Sequence, residues 1–428
     1  MINMMAKTKS VKNSISKTNI LKIFKTLTII FAIIQSITIS GVMLFDYFRK
    51  RYIRIKNFTF PSLPPKTIQI KDSKIKTYTE GKSLYKDMLK DINSAKKYIL
   101  FETYIWKDDI VGRNFKKELI KAARRGIKVF IVFDSFGNLV IPRIFKRFPK
   151  IPNLYVIEFP IMRHGLLTLN LRQTGRDHRK ILVVDGKKGY VGGYNIGSLY
   201  KDKWRDTHMR IIGSTVWEIE NAFVVFWNNV KKKHLPHIYQ PGTKSWDSNV
   251  RAAVNNPSRL LYPVRGLYID SIDRARKNIW ITQAYFIPDK EILEALIKAA
   301  RRGVDVKILI PEKSNHIIAD WVASAYFDKL LDAGVEIWLY KNAMIHAKTC
   351  TVDGRWSTIG TANIDRLSMT GNFEINIQIW SKRLAERMED IFRNDLSNSI
   401  QLPVSKWQER SIMQRVIEKI LRPLSPIL

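Results

Sequence analysis

The chain has 428 residues, of which 45% are hydrophobic and 11% aromatic, so it is long enough to bury large cores and form about three domains. Lysine and arginine number 73 against 38 acidic residues, and the resulting net charge of +35 implies a polyanionic partner, either nucleic acid or an anionic lipid surface. Cys350 is the only cysteine, which excludes an intrachain disulfide.

The first element along the chain is an uncharged apolar run, residues 26–45, rich in Ile, Leu and Phe. It is long enough to cross a hydrocarbon layer of about 30 Å, and it predicts one transmembrane helix. A cleaved signal peptide is the alternative, but the run is longer than a usual signal core. We therefore predict a single-pass anchor in the cell membrane. Basic residues flank both ends of the run, so the positive-inside rule leaves its orientation open.

After the anchor, strands and helices alternate twice along the chain, which predicts an α/β sandwich in each half. In the first half we expect strands at 98–105, 127–133 and 153–159, and helices at about 112–125 and 214–232. In the second half we expect strands at 278–286, 304–310 and 335–340, and helices at 289–302 and about 317–333.

These elements give a predicted order of domains. It comprises a basic tail and anchor (1–60), a first domain (61–234), a proline-containing linker (235–265), a second domain (266–400) and an amphipathic tail (401–428). In the tail, apolar residues between Trp407 and Leu421 recur at helical spacing, which is compatible with packing on the domain or lying on lipid.

Six positions of the first half recur in the second at one constant spacing. Lys121 to Gly126 also reappears as Lys298 to Gly303, so each repeat is a whole domain of roughly 150 residues. The six pairs, each 168 positions apart, are His178 with His346, Lys180 with Lys348, Asp185 with Asp353, Gly192 with Gly360, Asn195 with Asn363, and Asp206 with Glu374.

The motif residues are predicted to begin the strands 178–184 and 346–352. Because side chains alternate faces along a strand, each histidine shares a face with the lysine two residues later. Asp185 and Asp353 fall on the opposite parity, which favours a structural pairing with backbone or a basic group. The glycines predict close backbone approaches that direct Asn195 and Asn363 toward the same pocket.

Two histidines and two lysines from two halves of one chain suit phosphodiester cleavage. That reaction needs a nucleophile opposite the leaving oxygen, a proton donor on that oxygen, and cations around the other oxygens. One histidine would form a covalent phosphohistidine while the other acts as acid and then base. Asp206 and Glu374, each 28 residues after the histidine of its own repeat, are predicted to orient the imidazoles.

These motifs resemble the phospholipase D superfamily, whose signature is H-x-K-x4-D followed by G-G/S-x-N, from about residue 75 to 400. Within it, the segments around His178, Gly192, Trp204, Tyr285 and His346 are similar to bacterial cardiolipin synthases. Leu367 departs from the family pattern, since arginine is usual at that position.

The resemblance implies two tandem phospholipase D-like domains related by a pseudo-twofold axis. It also implies a reaction without metal or cofactor, in which phosphatidylglycerol gives a phosphatidyl-enzyme and a second phosphatidylglycerol takes the phosphatidyl group. The catalytic set would be His178, Lys180, Asp185, His346, Lys348 and Asp353, with His178 as nucleophile by analogy.

Other functions of the same motif stay open. A membrane-anchored nuclease would also suit the net charge, and a phospholipase D would release phosphatidic acid. The membrane anchor and the sequence around the motifs favour anionic phospholipid over nucleic acid as the partner.

Overall fold

The computed structural model describes residues 2–52, 60–160, 175–239, 242 and 247–427. Its first element is one long helix, α1 (Ile2–Tyr52), and the predicted transmembrane helix at 26–45 lies inside it. The segment Asn19–Arg49 is long and apolar enough to cross a membrane by length and composition.

The first half of the chain forms an eight-stranded mixed sheet in the order β1-β2-β9-β7-β6-β3-β4-β5. Its strands are β1 (Lys66–Ile70), β2 (Ser73–Tyr78), β3 (Tyr98–Thr103), β4 (Lys128–Asp134), β5 (Leu154–Phe159), β6 (Ile181–Val184), β7 (Lys188–Gly192) and β9 (His208–Ile212). The helices here are α2 (Gly81–Asn93), α3 (Ile110–Arg124), α4 (Arg143–Lys146), α5 (Ser198–Asp202) and α6 (Val216–Val230).

The second half forms a matching sheet in the order β10-β17-β16-β15-β11-β12-β13-β18. Its strands are β10 (Val250–Asn255), β11 (Asn278–Gln283), β12 (Asp305–Pro311), β13 (Glu336–Tyr340), β15 (Lys348–Val352), β16 (Trp356–Gly360), β17 (Glu374–Trp380) and β18 (Ser399–Gln401). The helices are α7 (Pro263–Arg274), α8 (Lys290–Arg301), α9 (Ile317–Ser324), α10 (Phe327–Leu331), α11 (Arg366–Thr370), α12 (Lys382–Leu396), α13 (Val404–Gln408) and α14 (Ile412–Leu421).

The two halves are built alike because the same local signals recur in both. Asp109 and Asp289 cap α3 and α8 by accepting a hydrogen bond from a first-turn backbone N–H. Gly126 and Gly303 follow these helices with φ near +88°, a conformation that suits glycine. Each helix then leads into the next parallel strand of its sheet, as a βαβ unit requires.

Two expectations about the boundaries of the elements were wrong. Residues 250–255, assigned to the linker, form β10 and pair with β17, and α7 begins inside the predicted linker at Pro263. The prolines around this short strand made its composition look like a connection. The single helix expected at 317–333 is divided into α9 and α10. Within the predicted linker, residues 240, 241 and 243–246 lie outside the described part.

The inner faces of the two sheets share one apolar core. Buried residues from β7, β9 and α6 of the first half join those of β16, β17 and α12 of the second half in this core. The outer faces are covered separately, by α2 and α3 on the first sheet and by α7 and α8 on the second. The hydrophobic effect therefore holds the halves together across a broad apolar contact.

A buried ion pair also joins the halves. Arg205, on the two-residue strand β8 (Trp204–Arg205), donates from Nε to Oδ1 of Asp395 on α12 at 2.8 Å and from Nη2 to Oδ2 at 2.5 Å. Both side chains are about 1% exposed. Such a pair fixes the register of two elements because either charge alone would be buried without compensation.

The helix α1 packs on the second half. Val42 of α1 is buried in the core of that half, and Gln35 donates from Nε2 to the backbone oxygen of Ile420 on α14 at 3.0 Å. Leu421 of α14 is buried in the same core, while Ile412, Met413 and Val416 of α14 are exposed. The amphipathic tail thus packs on the domain with one face and leaves a second apolar face outward.

Candidate active site

The two H-x-K segments meet where the halves join. His178 to Lys180 directly precede β6, whereas His346 and Ala347 directly precede β15, whose first residue is Lys348. Each segment also pairs with a strand of the other half: β14 (Met344–Ile345) runs parallel to β8, and Asp177 forms a parallel bridge with Phe373. The backbone N–H of His346 accordingly donates to Arg205 O at 2.7 Å, and that of His178 to Phe373 O at 3.1 Å.

These cross-half pairings exchange the carboxylates between the two repeats. His178 Nδ1 lies 2.8 Å from Glu374 Oε1, and His346 Nδ1 lies 2.7 Å from Asp206 Oδ2. The sequence led us to expect each carboxylate at the histidine of its own repeat, and that assignment was wrong. The short parallel bridges place residue 374 beside residue 178, and residue 206 beside residue 346.

Each carboxylate is itself held by a second donor. Thr361 Oγ1 donates to Glu374 Oε2 at 2.5 Å, and the backbone N–H of Thr207 donates to Asp206 Oδ1 at 2.6 Å. The remaining oxygen of each carboxylate therefore faces Nδ1 of its histidine. This arrangement favours the neutral tautomer with the proton on Nδ1, which keeps the lone pair on Nε2 for a reacting atom.

Burial sets the protonation of both histidines. It lowers the pKa of His178, although the charge of Glu374 opposes the shift, and it lowers the pKa of His346 further, with added repulsion from Lys348 and Lys180. Burial raises the pKa of Asp206 to about 6. Burial also acts to raise the pKa of Glu374, but the adjacent His178 holds it below its usual value. The two halves of the site are therefore electrostatically unequal.

The two lysines occupy equivalent positions and feel the same burial. Lys180 Nζ donates to His178 O at 2.6 Å, and Lys348 Nζ donates to His346 O at 2.5 Å. Burial lowers the pKa of Lys180 to about 8 and that of Lys348 to about 7, although the carboxylates oppose the shift. Two partly desolvated ammonium groups form a strong anion site, because little water is left to be displaced.

The predicted asparagines lie close to this cluster. Asn195 Oδ1 accepts from the backbone N–H of Ile105 at 3.1 Å, and Asn363 Oδ1 is buried with no hydrogen-bond partner within the described residues. The neighbouring glycines are needed for space, since a Cβ at Gly193 would lie 2.1 Å from Asp206 Oδ1. Gly360 has the same relation to Asn376 Oδ1.

Asp185 and Asp353 are not part of the cluster. Asp185 accepts backbone hydrogen bonds from residues 96, 97 and 98, and Asp353 accepts them from 276, 277 and 278. Each lies five residues along the chain from its lysine, roughly 16 Å at about 3.3 Å per residue. Their inclusion in the catalytic set is corrected, and their expected pairing with backbone is what the structure has.

Three aromatic residues lie next to the histidines, and the sequence analysis predicted no role for them. The Tyr104 ring lies 4.8 Å from that of His178, whereas Trp204 and Tyr285 lie 5.1 and 6.3 Å from that of His346. The equivalent positions of the other repeat are not aromatic; Ala284, for example, is equivalent to Tyr104. A search for repeated residues therefore could not identify these three. The similarity of the segments around Trp204 and Tyr285 to bacterial cardiolipin synthases was the feature of the sequence that could have indicated their place in the site.

The arrangement can hold one phosphodiester between two imidazoles. Charges in the two halves act on each other, since Lys348 contributes to lowering the pKa of His178, and His178 to lowering that of His346. A phosphorus atom between two Nε2 atoms would have a nucleophile on one side and a proton carrier on the other. The ammonium groups would neutralise its non-bridging oxygens.

A known protein family matches both halves of the chain. A profile described as "Cardiolipin synthase, PLD-like domain" matches residues 88–224 and again 268–396. These two matched segments contain both H-x-K motifs and both orienting carboxylates.

Relatives named cardiolipin synthase are similar to this chain over most of its length. A cardiolipin synthase from Clostridium perfringens (strain SM101 / Type A) is 36% identical over 369 residues, which cover 83% of this chain and 77% of the relative. A cardiolipin synthase from Staphylococcus aureus (strain Mu50 / ATCC 700699) is 36% identical over 367 residues, covering 83% and 74%.

A solved structure shares the fold. The phosphatidylserine synthase of Haemophilus influenzae Rd KW20 superposes with a TM-score of 0.62 at 16% identity, covering 86% of this chain and 95% of that one. At this level of identity the likeness concerns the arrangement of the two α/β halves.

The exchanged carboxylates can be tested one at a time. We expect Glu374→Gln to move the proton of His178 from Nδ1 to Nε2, because Thr361 retains the amide oxygen and the NH2 group then faces Nδ1. Asp206→Asn should do the same to His346 alone. Ring ¹⁵N shifts in histidine-labelled full-length protein measure both tautomers.

Each variant is the matched control for the other, since the two histidines report separately. A tautomer change at His346 caused by Glu374→Gln, with His178 unaltered, would show that each carboxylate serves its own repeat.

The lowered lysine pKa values predict a pH-dependent anion affinity. Sulfate keeps its charge between pH 6 and 9, whereas Lys348 and Lys180 lose protons as the pH rises through about 7 and 8. We expect the sulfate dissociation constant to rise more than tenfold over this range, because each of the two charge-assisted hydrogen bonds contributes about 1.5–3 kcal/mol and about 1.4 kcal/mol is a tenfold change. Calorimetric titration at stepped pH measures it.

Lys290→Gln provides the control, because this lysine side chain is 87% exposed on α8. It should keep the pH dependence, and Lys348→Gln should flatten it. A dissociation constant that stays level in the unaltered protein would mean that neither ammonium group holds the anion.

Proposed function

The chain belongs to the cardiolipin synthase family built from phospholipase D-like domains, and we propose that it transfers a phosphatidyl group from one phosphatidylglycerol to another. The products are cardiolipin and glycerol. The observation that carries the proposal is the crossed pair of oriented histidines, each followed by a buried lysine, in a chain with the two cardiolipin synthase relatives named above.

The relatives and the apolar helix both support a phospholipid membrane as the place where the protein acts. Cardiolipin synthase relatives imply a phospholipid substrate, and the segment Asn19–Arg49 supports anchoring in a membrane. The net charge of +35 suits a surface of anionic headgroups, where each nearby Lys or Arg contributes about 1 kcal/mol. Phosphatidylglycerol meets both conditions, as an anionic phosphodiester with free hydroxyl groups.

In the first half-reaction one histidine displaces glycerol. We assign the nucleophile to His178 by family analogy: its Nε2 bonds to phosphorus as the bond from phosphorus to the headgroup glycerol oxygen breaks. That oxygen takes the proton of His346. A bound phosphodiester anion offsets the charge of Lys348 and Lys180, which raises the pKa of His346 and favours its protonated form.

In the second half-reaction a second phosphatidylglycerol takes the place of glycerol. His346 Nε2, now neutral, removes the proton from a headgroup hydroxyl, whose oxygen bonds to phosphorus. The bond from phosphorus to His178 breaks, and cardiolipin is formed. Glu374 and Asp206 act as positioning residues throughout, because they hold Nδ1 of the imidazoles.

The surroundings of the site support transfer over hydrolysis. The side chains of His178 and His346 are 12% and 6% exposed, and the aromatic rings of Tyr104, Trp204 and Tyr285 occupy space beside them. A site with little room for water lets the phosphohistidine persist until a lipid hydroxyl arrives.

The proposal is tested with full-length protein in phosphatidylglycerol vesicles. We expect cardiolipin and glycerol to appear in equal amounts, with little phosphatidic acid. Phosphatidic acid as the main lipid product would make the protein a phospholipase D, and breakdown of single-stranded DNA without lipid turnover would make it a nuclease.

Two variants of the same preparation separate the histidine roles. With radiolabelled phosphatidylglycerol, His178→Ala should form no covalent phosphoprotein, whereas His346→Ala should slow its formation and its breakdown. A phosphoprotein that accumulates in His178→Ala would reverse the two assignments.

A further inference from the structure

The helix α1 is attached close to one histidine. It packs against α9 and α14, and α9 begins directly after His316. Tyr285 connects this region to the active site: its hydroxyl donates to Asn315 Oδ1 at 2.6 Å, and its ring lies 6.3 Å from that of His346. The membrane helix thus stands on the His346 side of the active site.

The first half has an equivalent segment on the His178 side. Residues 135–146, with α4, follow β4 as residues 312–324, with α9, follow β12 in the second half. Asn138 of this segment donates from Nδ2 to Tyr104 O at 2.8 Å, and the Tyr104 ring contacts His178. The two segments therefore lie next to the two histidines, one in each half, and we call them the two rims of the site.

The rim on the His178 side exposes an apolar surface. Four large apolar side chains stand out from it, with Val140 at 81% and Ile144 at 72% exposure. We name this surface the apolar rim, and its members are Phe136, Leu139, Val140 and Ile144. Grouped exposed apolar side chains of this kind mark interaction sites.

The charges around the apolar rim suit an anionic lipid surface. Arg143, Arg147 and Lys150 are exposed beside it, and apolar side chains ringed by basic groups are typical of surfaces that rest in the headgroup region. The other rim is continuous with α1, whose residues 19–34 are exposed along their length. Ile412, Met413 and Val416 of α14 add exposed apolar residues beside α1.

We propose that the apolar rim inserts into the headgroup and acyl-chain boundary of the anionic bilayer that α1 crosses. The site between the two rims then faces the bilayer, and a lipid phosphodiester reaches His178 and His346 without leaving its leaflet. This inference rests on the phospholipid substrate proposed above, and it adds the surface by which the protein meets that substrate.

The sequence allows a direct test, because Cys350 is the only cysteine and it is buried. Val140→Cys can be labelled with a fluorophore in full-length protein, reconstituted in vesicles of phosphatidylglycerol and phosphatidylcholine. We expect nitroxides on the lipid acyl chains to quench the label and aqueous iodide to leave it bright.

Trp380→Cys is the matched control. Trp380 is 42% exposed and ends β17, which begins beside the active site at Glu374, so it lies roughly 20 Å away at about 3.3 Å per residue. A label there should be quenched by iodide alone. The proposal is overturned if the label at residue 140 behaves like the one at residue 380, or if it is shielded from both quenchers, as burial against a protein would produce.

A second variant links the surface to turnover. Val140→Asp should reduce the rate severalfold on phosphatidylglycerol in vesicles and leave the rate on a short-chain, water-soluble phosphatidylglycerol unchanged. Equal losses on both substrates would contradict the proposal.

The labelling result does not depend on catalysis. Lipid quenching at residue 140 in a protein that makes no cardiolipin would refute only the proposed function, and iodide quenching there in an active synthase would refute only the apolar rim.

Discussion

The candidate active site depends on one exchange: each of its two imidazoles takes its carboxylate from the other half of the chain. Glu374 holds His178 and Asp206 holds His346, at 2.8 and 2.7 Å. Neither half has a complete histidine–carboxylate pair, so the site exists only when the two sheets are docked. The shared apolar core and the Arg205–Asp395 ion pair therefore determine the relative position of these four side chains.

Burial gives this geometry its chemical character. Burial favours the neutral form of both imidazoles and lowers the pKa values of both ammonium groups, so the site residues carry less positive charge than their number implies. A phosphodiester anion reverses that effect by favouring the protonated forms. Binding of an anion and protonation of His346 would thereby be coupled through the same electrostatic interaction.

Much of this was visible in the sequence because the duplication keeps its spacing. The pairs at 168 positions identified the histidines, lysines, asparagines and carboxylates, and the alternation of strands and helices predicted the two α/β halves. The spacing along one chain does not show whether a carboxylate pairs with the histidine of its own repeat or with that of the other repeat. The sequence analysis therefore missed the exchange of carboxylates. The aromatic residues next to the histidines were missed for a related reason: Tyr104, Trp204 and Tyr285 have no aromatic counterparts in the other repeat.

The pseudo-twofold axis has a consequence for variation within the site. In a symmetric dimer of identical halves, every substitution near the site would occur twice, once on each side. In a single chain with two repeats, a substitution in one repeat changes only one side of the site. Arg179, buried between His178 and Lys180 and paired with Glu102, is matched by the small Ala347 in the other motif. Fusion of the halves in one chain thus allows the surroundings of His178 and those of His346 to differ, as Arg179 and Ala347 do, while both histidines remain in one site.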